Sequence, residues 1–227
     1  MNNKETSLKE KLRQALSSTI RVISDDLIIK KNDNNNKNLN KFEFNDLENE
    51  IDFTKARAEA DSSALKKKFS SEEIYKKNTP NNSSCKSLYA IAEKIRYETL
   101  GSNMLKGIEK NLKDNYNQMI KSKRNNQFKT KEDVPVAEAF ELYMLKNFYD
   151  IKLNSLSSRI LNFWEKEFDQ SINKHINFLK DNVEDQNIYG SRFSKILQDM
   201  DIFQTDDNEE NKENDQNEGE NNPSNDD

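Results

Sequence analysis

Leu8, Leu12, Leu16, Ile20 and Ile23 recur every three or four residues and lay one apolar stripe along a helix. Ser7 and Glu10 stand at the spacing of a capping box, which predicts the start of that helix, and Asp25-Asp26 ends the pattern. Leu27-Ile28-Ile29 is a short β-prone run, 31–40 is an Asn/Lys loop, and the alternating Phe42-Glu43-Phe44 can pair with 27–29 as one small hairpin. A second helix is predicted over 54–69, with Ala60, Ala64 and Leu65 inward. Ser70 and Glu73 form another capping-box match before a short helical turn at Ile74-Tyr75, and 78–84, with Pro80, reads as a loop.

The longest helical stretch is 87–120. Leu88, Ile91 and Ile95 form its first stripe; Met104, Ile108, Leu112, Tyr116 and Met119 form its second, with Gly101 and Gly107 interrupting. After a polar connection over 121–133, Pro135 suits the first turn of a helix carrying Ala139, Leu142, Tyr143, Leu145 and Phe148. A long helix is predicted over 155–181, with Leu156, Ile160, Phe163, Trp164, Phe168, Ile172, Ile176 and Leu179 inward, and a last one over 188–203 with Phe193, Ile196 and Leu197. Six or seven helices each bring an inward face, which supports a mainly α fold in a single multi-helix domain, 1–205.

Composition agrees. Only 33% of the 227 residues are apolar and 34% are charged, with 33 Asn, 4 Gly and 3 Pro; a β-sandwich or barrel needs more turn residues and more β-branched residues. The net charge of −5 hides a division: 206–227 carries −9 and the rest +4. Such an acidic stretch cannot bury enough apolar surface to offset chain entropy, so 206–227 is expected to be a disordered acidic tail. One Cys (Cys85) and one His (His175) allow no internal disulfide and no Cys/His zinc site from this chain alone. No apolar run approaches the roughly 18 residues of a membrane span and no secretory signal is visible, so a cytoplasmic location is expected.

The sequence has no Gly-x-Gly-x-x-Gly, no phosphate-cradling Gly-x4-Gly-Lys-Ser/Thr and no nucleophile elbow, so an isolated enzyme is not expected. Three local patterns stand out. Arg57 and Asp61 are at i,i+4, where they can make a surface ion pair or a semi-buried lock between helices. In the segment from Arg96 to Leu112, two glycines inside a helical pattern each cost about 1 kcal/mol against Ala. They mark either a break between two helices or a close crossing or docking surface. Asp185-Gln186 precedes Ile188 as a helix cap or as a motif. Lys66-Lys67-Lys68 has no interleaved aromatic residues and reads as a solvated face rather than a nucleic-acid platform.

The order of these patterns resembles the amino-terminal region of the CobT family, subunits of the aerobic, ATP-dependent cobaltochelatase. Ala15 through Ser24 looks like that family's opening helix. Arg57 through Leu65 resembles its Arg-Gly-x-Ala-Asp-x-x-Ala-Leu segment, and Glu93 through Ser102 its Glu-x-x-Arg-x-Glu-x-x-Gly segment. Gly107 through Leu112 resembles its Gly-Val-x-x-Asn-Leu, and Asp185-Gln186 its Asp-Gln. Ala58 replaces a family Gly, Phe69 falls where a His-containing run follows, and Lys146 through Asp150 departs from the family's Arg-Glu-x-Leu-Thr-Gly. The family continues past an acidic linker into a von Willebrand factor A-like domain, whereas this sequence stops at Asp227, in the part that looks like the linker.

The resemblance implies a subunit that docks an AAA+ ATPase (CobS-like) and a large chelatase subunit (CobN-like) for cobalt insertion into hydrogenobyrinic acid a,c-diamide. ATP, Mg and Co would sit on those partners, with no catalytic, cofactor or metal residue here and no nucleic-acid or membrane partner. It makes Arg57, Asp61, Arg96, Glu98, Gly101, Gly107, Asn111, Asp185 and Gln186 the motif residues and the candidate interface. The alternative is a helical scaffold, unrelated to cobalt, whose acidic tail recruits a basic partner.

Overall fold

A computed structural model describes residues 3–24, 50–122 and 128–200. Among them all regular structure is helical: α1 (Asn3–Ile23), α2 (Glu50–Phe69), α3 (Glu72–Asn78), α4 (Ser83–Met104), α5 (Lys106–Ser122), α6 (Val136–Tyr149), α7 (Ser155–Asn162), α8 (Glu165–Ser171), α9 (Ile176–Asp181) and α10 (Gln186–Gln198), with one 3-10 turn at Asn173–His175. The expected hairpin of 27–29 with 42–44, the boundary at 205 and the tail 206–227 lie outside the described residues.

Helix α4 is the axis. It packs on α2, α5, α6 and α10; α1 lies on α2, α3 lies on α10, and α7 and α8 lie on α6. The stripe of Leu16, Ile20 and Ile23 is buried where α1 meets α2. The opposite side of the core is aromatic. Phe140 meets Phe168 and Phe193 edge-on at 5.6 and 6.1 Å, and Tyr143 meets Phe168 at 5.3 Å, separations in the range of favourable offset and T-shaped pairs.

Four local expectations need correction. Helix α1 starts at Asn3, a turn before Ser7. Helix α3 is capped by Ser71, not Ser70: Ser71 has the extended backbone of a cap and its Oγ accepts from Ile74 N, whereas Ser70 Oγ donates to Glu93 Oε1 at 2.6 Å. The single helix expected over 155–181 is three helices. Trp164 N reaches back to Leu161 O and His175 N to Ile172 O, i+3 bonds that tighten the chain. The bends keep Ile160, Phe168, Ile172, Ile176 and Leu179 all buried as the chain curves past α6. Met104, expected inward, is 42% exposed, because Leu105 is extended and turns the chain outward between α4 and α5.

The two glycines of the α4–α5 segment do different things. A Cβ on Gly101 would lie 2.3 and 2.4 Å from the Leu65 methyls, and Leu65 is fully buried. Gly101 is therefore the contact that lets α4 cross α2 closely. Gly107 has open space where its Cβ would be. The helix break itself sits at Leu105, whose N–H closes α4 on Gly101 O and whose carbonyl accepts from Ile108 N.

Overpacking at such a contact costs about 1–3 kcal/mol, so Gly101→Ala is expected to lose about that much stability. Gly107→Ala should be neutral or gain up to about 1 kcal/mol from helix propensity. Urea unfolding followed by circular dichroism separates the two; equal effects would contradict the assignment of Gly101 as the crossing point.

Candidate functional site

The motif residues converge on α4 from both sides. On one side, the Arg96 side chain is fully buried and ion-paired with Glu93. Its Nε donates to Glu93 Oε2 at 2.8 Å and Nη2 to Glu93 Oε1 at 2.9 Å. Nη1 donates to Val183 O at 2.9 Å and Nη2 to Phe69 O at 2.5 Å. Glu93 Oε1 also accepts from Ser70 Oγ and from Gln186 Nε2 at 3.0 Å. Gln186 in turn accepts from Ser71 N at 2.7 Å and donates to Ser71 O at 3.2 Å. The end of α2, the cap of α3, the middle of α4 and the start of α10 are thus tied by one satisfied polar network, the condition for burying charge without a large penalty.

On the other side, the buried Glu98 accepts from Ser62 Oγ and from Tyr116 Oη, both at 2.5 Å, joining α2, α4 and α5. Burial pushes the Glu98 carboxyl above the usual carboxylate range; Lys94 and the two hydroxyl donors oppose that shift without cancelling it. Nearby along α2, Asp61 accepts from Asn111 Nδ2 at 2.8 Å. Burial raises its pKa as well, against the Asn111 hydrogen bond and the positive charge of Arg57. The direct partner of Asp61 is therefore Asn111, across the α2–α5 contact, and Arg57 acts from the exposed face through its charge.

Arg96, Glu98, Asp61, Asn111, Gly101 and Gln186 belong to these interior nodes, while Arg57, Gly107 and Asp185 are exposed. Asp185 caps α10: its Oδ1 accepts from Ile188 N at 2.8 Å. The partners Glu93, Ser62 and Tyr116 were not among the candidate residues. Glu93 had a readable signal, since it stands three residues before Arg96 on one helical face. Ser62 and Tyr116 had none, because their pairing is purely tertiary.

Asp61 and Asn111 also line the floor of a surface groove of about 510 Å³. Ser18, Thr19, Val22 and Ile23 of α1 form one wall, and Leu105, Gly107 and Ile108 the other. Val22 is 63% exposed and Leu105 48%. The groove exists because α1 ends beside the α4–α5 break, where the extended Leu105 and the side-chain-free Gly107 leave room.

Cys85 is buried and its thiol donates to Leu197 O at 3.6 Å. His175 lies in a separate cleft with Lys174 and Arg192. Among the described residues no three His, Cys, Asp or Glu side chains gather in a way that could hold a metal ion, and no helix is long and apolar enough to cross a membrane.

The profile of the family described as cobalamin biosynthesis protein CobT matches residues 6–227. The chain belongs to the CobT family. Its place is accordingly in cobalamin biosynthesis, and the interior nodes described above are built from residues within the matched CobT region. No curated protein and no solved structure matches the chain.

The buried acids give a pH signature. Below the ordinary carboxylate range both folded and unfolded chains hold the Glu98 proton. As pH rises the unfolded chain releases it first, so this group's contribution to stability is lost until the raised folded-state value has been passed. Glu98→Gln keeps an acceptor for one hydroxyl and removes the titration. Its loss of stability as pH rises above the ordinary carboxylate range is expected to be shallower than in the native chain. Parallel urea titrations check this, and identical pH slopes would refute the assignment.

Proposed function

We propose that the chain is a non-catalytic, cytoplasmic docking subunit of an ATP-dependent cobaltochelatase, the complex that inserts cobalt into hydrogenobyrinic acid a,c-diamide. Membership of the CobT family supports the pathway. The observation that supports docking is the groove between α1 and the α4–α5 junction, whose apolar rim is exposed at Val22 and Leu105 and whose lining holds three motif residues, Asp61, Gly107 and Asn111. Large apolar side chains left at the surface around a concave patch are characteristic of protein interaction sites.

In this reading the occupant is the AAA+ ATPase subunit, CobS-like. ATP and Mg are held there, while cobalt and the corrin substrate are held by a CobN-like large subunit. The role of this chain is positional. The Glu98 and Asp61 contacts tie α2, α4 and α5 together, and α1 lies on α2 through its apolar stripe, so the groove walls are held by the fold and little ordering cost falls on binding.

The test mixes the purified chain with the CobS-like ATPase, with and without ATP, and follows size-exclusion elution with light scattering. Co-elution is expected. The paired change Val22→Glu and Leu105→Glu should weaken it at least about tenfold while leaving the helical circular dichroism unchanged. Undiminished co-elution of the variant would overturn the groove as the interface. Absence of any complex with the native chain would overturn the docking role.

A further inference from the structure

A second concavity, of about 420 Å³, lies between the 3-10 turn and α10. Lys174, His175, Arg192 and Lys195 line it, with Gln170 and one acid, Asp199. Arg192 is held in place by stacking its guanidinium on the Phe178 ring at 4.7 Å. None of the ion pairs among the described residues engages Lys174, Arg192 or Lys195. The cations thus face a polar cleft with a single carboxylate against them. His175 senses that field: burial first, then the positive charges of Arg192 and Lys174, lower its pKa from the ordinary value.

We propose that this cleft is the docking site for the chain's own acidic stretch, 206–227. The charges are complementary, since the stretch holds ten acidic residues and one Lys. The chain also leaves α10 at the rim of the cleft, where Lys195 and Asp199 are lining residues. From Asp199 to Asp206 is seven residues, a reach of about 25 Å when extended, ample to return the first acids to the cleft. Tethered so closely, the stretch is present at an effective concentration of the order of millimolar, enough to populate a contact that would be weak between separate molecules. The contact is electrostatic and is screened once the Debye length falls well below the roughly 10 Å of 0.1 M salt. The acidic stretch then lies on the body at α10 rather than serving only as a spacer, and another acidic ligand can bind there only by displacing it.

His175 is the sole histidine of the chain, so its ring resonances in proton NMR report on the cleft alone. The native chain is compared with a variant of the same length carrying Asp206→Asn, Asp207→Asn, Glu209→Gln, Glu210→Gln, Glu213→Gln, Asp215→Asn, Glu218→Gln and Glu220→Gln. In low salt the His175 pKa is expected to be about half a unit higher in the native chain, and the difference should vanish at about 0.5 M salt. Repeating the comparison in a Lys174→Gln/Lys195→Gln background should shrink the difference. Equal pKa values in the native and neutralised chains would overturn the proposal. So would a difference that persists in the Lys174→Gln/Lys195→Gln background, which would mark a diffuse field rather than a site. A shift produced only by added poly-glutamate would assign the cleft to an acidic partner and overturn it equally.

Discussion

The arrangement of the helices depends on the burial of one arginine. A guanidinium inside the core requires a carboxylate and further acceptors in fixed directions. Its own helix supplies only Glu93. The remaining acceptors are the Phe69 and Val183 carbonyls and the Ser70 hydroxyl, from segments far apart in the chain. Removing either charge would strand the other, so the end of α2 and the approach to α10 are committed to their positions against α4. A charged network of this kind selects one arrangement of elements over others with comparable apolar burial; in general it contributes less to stability than it costs when half-broken.

This gives the motif segments a physical meaning. Arg96, Glu98, Asp61, Asn111, Gly101 and Gln186 share a common role: each is a contact between α4, or its immediate neighbour α2, and another helix. They define a scaffold more than a contact surface. The surface elements follow from them. The groove sits where α1, the α4–α5 break and the Asp61–Asn111 pair meet, and the basic cleft sits where the second half of α10, from Arg192 to Asp199, runs beside the 3-10 turn.

Much of this was legible beforehand. The three-and-four spacing of Leu16, Ile20 and Ile23, or of Leu88 and Ile95, predicts buried faces, and those residues are buried. The alternatives at Gly101 and Gly107 were both visible and both are realised: a crossing at the first, and a helix break at Leu105 between them. What escaped reading has definite causes. The apolar period runs unbroken through Phe168, Ile172 and Ile176, so i+3 tightening leaves no mark on the pattern. Ser70 and Ser71 are interchangeable as caps in sequence, and only the demand of Glu93 for a hydroxyl decides between them. Lys174, Arg192 and Lys195 are scattered along the chain and become a cleft only when α10 folds beside the 3-10 turn.

The Arg96–Glu93 pair holds the fold and is buried away from any surface a partner could reach. A double-mutant cycle measures it directly, with Arg96→Met, Glu93→Leu and the two combined, each unfolded in urea. Either single change should cost about 3–5 kcal/mol or prevent folding, because it leaves a buried charge alone. The combined variant should fold and cost far less than the sum of the two. Single changes that each leave stability within about 0.5 kcal/mol while abolishing partner binding would contradict the account and return these residues to the interface.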